Sequence, residues 1–231
     1  QYGKLRQVLI RESLWITKWQ EKPENEIAAE FSGNERHVGV DVVPDDLFDQ
    51  VADTVTPQGT LGMVDMPVYS LEEILNSRSR LYLMLDDLRD PGNLGTMIRT
   101  SEAAGVAGVI MSKGTVDLFN PKVVRATMGA IFRVPFIYVD SLPETIMQMR
   151  KKEISVYGTI LEESMVYDDP DYTKPSAVVV GNEANGISRE VRESLSGRIH
   201  IPMEGSVESL NAAVAAAVVL YEASRQRRKT D

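Results

Sequence analysis

Three short stretches carry the side chains that can do chemistry: DPGNLGTMIR (Asp90 to Arg99), VGNEANGI (Val180 to Ile187) and IPMEGSVESLN (Ile201 to Asn211). The first sets the Asn93 amide and the Arg99 guanidinium at the head of one helix, with Gly95 between them allowing close approach. A guanidinium keeps its charge at every accessible pH, so Arg99 can hold or stabilise an oxyanion but is a poor base. A helix cap at Asn93 and a plain surface cation at Arg99 explain the same residues. The second stretch gathers Gly181, Asn182, Glu183 and Gly186 in a turn whose backbone donors and acceptors can grip a purine or a ribose. Glu183 has no carboxylate partner in the sequence, which makes a cap or a salt bridge to arginine as good a reading as an acid. In the third stretch Ser209, Leu210 and Asn211 open a helix, where free N–H groups and the positive dipole end attract anions. Ser209 as a simple N-cap is the alternative.

Those loops need strands and helices to carry them. From Leu81 the chain alternates strand and helix: LYLMLDDL, a helix from about Leu94 to Ala104 closed by Gly105, GVIMS, a helix beyond Asn120, VPFIYV, LPETIMQMRKK, SVYGTI, AVVVGNE and RIHIP. Continuous apolar strands of this kind are buried on both faces of a parallel sheet, and such α/β sheets bind ligands beyond the C-terminal strand ends, where all three stretches fall. From Leu210 to Tyr221 only Asn211 is polar, which predicts a helix buried all round whose lone amide must find partners. No stretch fits G-x-G-x-x-G; GVAG at Gly105 to Gly108 reads as a helix stop and turn. Within RATMGAIFRVP, the residues Thr127, Met128 and Gly129 read as a helix ending at a close-packed turn.

Ahead of Leu81 the pattern is a small α/β unit. Leu14 to Trp19 has the aromatic and β-branched content of a strand, His37 to Val43 is a second strand with His37 incidental to it, and Asp45 caps a helix over Asp46 to Thr54. TPQGTLGMV supplies a third strand. SLEEILNSRSR is a capped segment joining the halves, which gives domains at 1–70 and 81–231 with a linker at 71–80.

Composition narrows the function classes. The 231 residues, 43% hydrophobic, suffice for a real core. Without cysteine there are no disulfides, thiolate metal sites or cysteine nucleophiles, and two histidines leave little for a metal. No apolar run reaches membrane-spanning length and the start has no signal-peptide order, so a cytoplasmic protein with no membrane partner is expected. A net charge of −9 disfavours nonspecific nucleic-acid binding unless local basic patches exist.

Taken together, N-L-G-x-x-x-R, G-N-E-x-x-G-I and I-P-M with S-L-N-x-x-x-A resemble the three ordered motifs of the SpoU/TrmH family of RNA ribose 2′-O-methyltransferases, within the SPOUT class. RATMGAIFRVP matches that family's intermediate segment, and the resemblance spans roughly Leu81 to Glu222. Residues before it are similar to the small ribosomal-protein-like RNA-binding domain of many members. Lys4 to Ile10 runs directly into LIRESLWI, short and abrupt by the family's standard, as a truncated front domain would be. Ala184 and Asn185 replace residues that are often glycine or acidic in relatives.

The resemblance implies a homodimer with a mostly parallel sheet and a C-terminal trefoil knot, acting on structured RNA, ribosomal rather than transfer RNA given the front domain. It implies S-adenosylmethionine as cofactor, held by Thr159, Gly181, Asn182, Glu183, Ile201, Met203, Ser209 and Leu210, with no metal. It assigns Arg99 to the ribose hydroxyl, Asn93 and Glu183 to shaping the site, and Ser209 and Asn211 to RNA phosphate and site organisation. A transfer-RNA enzyme, a thiopeptide-resistance enzyme of the same fold, a noncatalytic RNA-binding protein and a small-molecule methyltransferase are the alternatives. Candidate phosphate contacts are Lys4, Arg6, Arg11, Arg78, Arg80 and Arg125; Arg225, Arg227, Arg228 and Lys229 can add to them but read first as a solvated helix end that complements its dipole.

Overall fold

The structure is a computed structural model that describes residues 5–23, 26–27, 30–31, 38–52, 54, 56–207 and 209–229. Lys4 and His37 lie outside the described residues. The chain divides into two compact units, 1–67 and 68–231.

In the first unit β1 (Leu5–Arg11) lies between β2 (Gly39–Val43), parallel to it, and β3 (Thr60–Val64), antiparallel. Val8 and Ile10 alternate inward from β1 and meet Trp19, Ile27 and Val38 in a small core. Leu14 to Trp19, expected as a strand, belongs to helix α1 (Glu12–Lys18) and its C-cap. The central strand position is filled by β1, and Leu14, Trp15 and Trp19 reach the core from one side of a helical turn. Helix α2 (Asp45–Val51) starts one residue earlier than expected, and its N-cap is Pro44. Asp45 caps nothing in its own helix; its Oδ1 accepts from the Ser13 N–H at 3.0 Å.

The second unit begins with α3 (Leu71–Leu75), set by a capping box between Ser70 and Glu73. The expected linker segment is part of this unit, since Ile74 and Leu75 are buried in its core. Seven strands follow: β4 (Leu81–Asp86), β5 (Gly108–Ser112), β6 (Phe136–Val139), β7 (Ser155–Thr159), β8 (Met165–Val166), β9 (Ser176–Gly181) and β10 (Gly197–His200). They form one sheet in the order β6-β5-β4-β9-β7-β10-β8, each described pair parallel. Helices α4 (Pro91–Ala103), α5 (Pro121–Ala126), α6 (Leu142–Lys151), α7 (Arg189–Ser194) and α8 (Ala212–Arg228) complete it. Every residue of β4 and β9 is buried, and their side chains alternate between two cores. Leu81, Leu83, Leu85, Val178 and Val180 face one; Tyr82, Met84, Ala177 and Val179 face the other. That explains why both read as unbroken apolar runs.

Two helix starts differ from expectation. Helix α4 begins at Pro91 because Asp90 caps it, its Oδ1 accepting from the Asn93 N–H at 2.7 Å, with proline at the first position. Helix α8 begins at Ala212, capped by Asn211 and not by Ser209. Nor is α8 covered all round within this chain: Val214 and Tyr221 are 49% and 47% exposed. The two-residue strand β8 and the short α7 have no counterpart among the expected elements. Arg227 donates to the carbonyls of Tyr172 (2.8 Å), Arg80 (3.2 Å), Lys174 (2.9 Å) and Ser79, a structural task for a cation expected at a solvated helix end.

Candidate active site

Strands β9, β7, β10 and β8 stand side by side and parallel, so their C-terminal ends open along one edge. A cavity of about 570 Å³ lies there. Thr159 enters it from the end of β7; Gly181 from the end of β9, and Asn182, Glu183 and Gly186 from the turn after it; Ile201 and Met203 from the segment after β10. Ser209 and Leu210 border it next to Asn211, and the first turns of α8 add Ala212 and Ala215. Every residue the family resemblance named for the cofactor therefore lines one space. Leu161, Tyr167 and His200 line it too and were not anticipated. Their only sequence signal was position, at or just beyond the ends of strands that finish at this edge.

The turn after β9 is forced by packing. A Cβ on Gly181 would lie 2.2 Å from the Gly186 carbonyl carbon and 2.3 Å from the Ile187 nitrogen, so only glycine lets the chain fold back there. Asn182 and Gly186 then exchange backbone hydrogen bonds of 3.0 and 2.8 Å, with Gly186 in the left-handed region at φ +66°. The Asn182 side chain fixes the tip: its Oδ1 accepts from the Ala184 and Asn185 N–H groups at 2.9 and 3.1 Å, and its Nδ2 donates to the Asp87 carbonyl at 2.8 Å. One residue beyond Ile187, the Ser188 N–H donates to the buried Asp86 carboxylate at 2.7 Å.

Glu183 reaches across to the head of α4. Its Oε1 accepts from the Asn93 side-chain amide at 3.0 Å and from the Asp90 N–H at 3.2 Å, and its Oε2 accepts from the Arg89 N–H at 3.3 Å. Partial burial pushes this carboxyl up, but the Asn93 amide, its own N–H and those of Arg89 and Asp90 outweigh that and hold it below the ordinary carboxylate range. A carboxylate bonded at this many points holds the second stretch against the head of α4. The bond runs to the backbone of Arg89 and not to an arginine side chain, so the expected salt bridge is a cap supplied from a distant loop. Asn93 in turn accepts from the Asn211 Nδ2 at 2.9 Å, while the Asn211 Oδ1 takes the Ala213 and Val214 N–H groups at 2.9 and 3.2 Å. Glu183, Asn93 and Asn211 thus form one chain of hydrogen bonds joining the three stretches, and the Asn211 amide uses its oxygen and one of its two N–H groups.

Arg99 stands apart from that chain. It is exposed on α4 on the stripe of Gly92 and Thr96, does not line the cavity, and has no hydrogen bond or ion pair among the described residues. The opposite face of α4 is buried, and Gly95 there is obligatory, since a Cβ would meet the Ala126 Cβ at 2.4 Å. Among the described residues no cluster of three or more histidine or acidic side chains is arranged to hold a metal.

Residues 80–221 match the model of the SpoU rRNA Methylase family. The 23S rRNA (guanosine(2553)-2′-O)-methyltransferase RlmP of Bacillus subtilis is 37% identical over 78% of this chain and 70% of its own. The 23S rRNA (uridine(2479)-2′-O)-methyltransferase of Streptomyces viridochromogenes is 33% identical over 92% of this chain and 73% of its own. Among solved structures, the SpoU methyltransferase AviRb from Streptomyces viridochromogenes in complex with the cofactor AdoMet superposes with a TM-score of 0.80 at 29% identity, covering 98% of this chain and 85% of that one. An AdoMet-bound rRNA methyltransferase from Sinorhizobium meliloti gives 0.79 at 30% identity over 96% and 80%.

Proposed function

We propose that this chain, which belongs to the SpoU rRNA methylase family, transfers a methyl group from S-adenosylmethionine to a ribose 2′-hydroxyl of ribosomal RNA. It is an RNA methyltransferase, and its relatives include named 23S rRNA 2′-O-methyltransferases. The observation that carries the reading is the hydrogen-bonded chain Glu183–Asn93–Asn211 at the rim of the strand-end cavity. It fits this cofactor. The walls are largely apolar, the rim offers amides and an ionised carboxylate suited to a sulfonium, and no phosphate-gripping glycine triad is present.

When bound, S-adenosylmethionine supplies an electrophilic methyl group, and the protein must align the hydroxyl and stabilise its developing negative charge. Gly181, Asn182, Ile201, Met203 and Leu210 hold the nucleoside and amino-acid parts, while Thr159, Ser209 and Asn211 present polar groups to them. Asn93 and Glu183 keep the three loops in register. Arg99, permanently charged and unpaired among the described residues, takes the ribose oxygen and an adjoining phosphate. It positions the oxygen and stabilises its charge.

The front unit, 1–67, is the RNA-binding part of this reading. Its Arg6 pairs with Asp65, and Arg11 pairs with Asp49. The exposed Arg6–Asp65 pair is worth little and leaves Arg6 open to a phosphate, whereas the Arg11 side chain is mostly covered and lies over the Phe48 ring. The protein works as a homodimer in the cytoplasm, with the half-exposed Val214 and Tyr221 of α8 covered by the second copy, and the segments around the cavity thread as the family's trefoil knot. No helix among the described residues is long and apolar enough to cross a membrane. Mapping 2′-O-methylation across ribosomal and transfer RNA from cells with and without the gene tests the reading. Loss of one ribosomal site is expected. An unchanged map, with no methyl transfer to purified ribosomal RNA, would leave a noncatalytic RNA-binding protein.

A further inference from the structure

The connection from β7 to β9, residues 160–175, is a surface segment interrupted only by the two residues of β8. Surface connections are usually loosely held. This one is pinned at many points. The Tyr167 N–H donates to the His200 carbonyl at 2.9 Å, and the Tyr167 carbonyl accepts from the hydroxyl of fully buried Tyr172 at 2.7 Å. Farther along, the Tyr172 N–H donates to the Gln226 Oε1 at 2.9 Å, and the Gln226 Nε2 donates to the Pro170 carbonyl at 3.2 Å. The last turn of α8 thus ties down the segment that its own first turns face across the cavity.

What all this fixes is the place of Tyr167. Both of its backbone polar groups are bonded, its side chain packs half-buried against the larger core, and it lines the cavity. Its hydroxyl has no partner among the described residues, so the ring and not the phenol is the part being positioned. Only Tyr167 and His200 bring rings to the cavity wall among the described residues, and they stand on or beside neighbouring strands, His200 pairing with Val166. The Glu183–Asn93–Asn211 rim lies beyond β9, three strand positions away in the order β9-β7-β10-β8. At about 4.8 Å per strand, that separation is roughly 14 Å. The sulfonium of the cofactor joins an adenosyl half to an amino-acid half; with the sulfonium near the polar rim, the half that carries a flat ring is the one suited to the wall that carries Tyr167.

We infer that Tyr167 is a cofactor-binding residue whose ring stacks on the purine of the nucleoside half, and that Gln226 is a positioning residue that holds the segment carrying it. The inference rests on the cofactor reading above. A flat ring offers a face to any purine, and stacking of a base on an aromatic side chain is worth about tenfold or more in affinity. Phenylalanine preserves that face and leucine removes it.

Titration calorimetry with S-adenosylhomocysteine and with adenosine alone tests it on the full chain. Tyr167→Phe and Tyr167→Trp are expected to bind both within about twofold of wild type, and Tyr167→Leu to weaken both by the same factor of about ten. Gln226→Leu is expected to weaken adenosine by a smaller factor, with little further loss when added to Tyr167→Leu, because it acts through Tyr167. A leucine variant that keeps wild-type affinity overturns the inference, as does one that loses S-adenosylhomocysteine but not adenosine. If Tyr167→Leu does not fold, loss of adenosine affinity in the folded Tyr167→Phe or Tyr167→Trp protein overturns it instead. Wild type that binds neither ligand removes the cofactor reading itself, a result distinct from any of these.

Discussion

Asn93→Asp changes one atom of the hydrogen-bonded chain and reverses the sense of one contact. The Asn93 amide that donates to Glu183 at 3.0 Å becomes a carboxylate oxygen facing another. Two unit charges at that distance repel by about 1.4 kcal/mol at the dielectric of water and about 5.5 kcal/mol at an effective value near 20. Glu183 is exposed, which favours the lower half of that range. A ceiling also exists, because the pair can take up a proton instead. At pH 7 that costs about 3.7 kcal/mol for a glutamate of ordinary pKa near 4.3, at 1.36 kcal/mol per pH unit. The expected penalty at pH 7 is therefore about 1.5 to 3 kcal/mol. The sign follows from linkage. The variant pair has a folded pKa raised above the unfolded one, so the penalty vanishes below the unfolded value, grows as pH rises from there, and levels off above the folded value. Urea unfolding of wild type and Asn93→Asp at pH 5 and pH 7 reads it directly, with methyl transfer measured alongside. Both deficits should shrink at pH 5. A deficit of equal size at the two pH values, or none at pH 7, would show that Asn93 and Glu183 are not coupled as the geometry requires.

Arg99→Ala should lower the methyl-transfer rate about a hundredfold or more, the usual cost of one oxyanion donor, and leave S-adenosylmethionine affinity nearly unchanged; a rate within a few-fold of wild type would make Arg99 a bystander cation. Gly181→Ala should abolish cofactor binding in calorimetry, because its Cβ would sit 2.2 Å from the Gly186 backbone, and an alanine variant that still binds would contradict the packing. A chain beginning at Val68 should still bind S-adenosylmethionine but bind ribosomal RNA more weakly, with a shallower dependence on salt because fewer counterions are released. Full affinity with an unchanged salt slope would acquit the front unit of that task.

The elements legible in the sequence are those whose burial is complete. Leu81–Asp86 and Ser176–Gly181 are buried on both faces, and an unbroken apolar run has little else to mean. Leu14 to Trp19 misled because aromatic and β-branched residues suit a strand locally; only β1 filling the central place in its sheet decides otherwise. Two residues of β8 and a charged α7 are too short to show any period. Asn93, Glu183 and Asn211 stood out as residue types, yet the bonds joining them cross 90 and 118 residues, and nothing in local spacing reports such a meeting. Ser209 was the cap the sequence suggested, while Asn211 read only as a lone amide in need of partners. The choice fell to Asn211 because its amide spans both the helix and Asn93. Tyr167 was hidden by its setting, one of two tyrosines in a segment rich in aspartate and proline, whose value depends on strand order.

That strand order also shapes how the chain emerges from a ribosome. Strand β4 lies between β5 and β9, but β5 follows it within 22 residues while β9 begins 90 residues after β4 ends. At about 5–20 residues per second, the β9-facing edge of the most apolar strand waits roughly 5 to 18 seconds for its partner. An open edge of that kind is a template for any extended segment of a neighbouring chain. The growing polypeptide is thus most exposed to mispairing between β4 and β9, and a chaperone that shelters this half-built sheet would have its greatest effect in that interval.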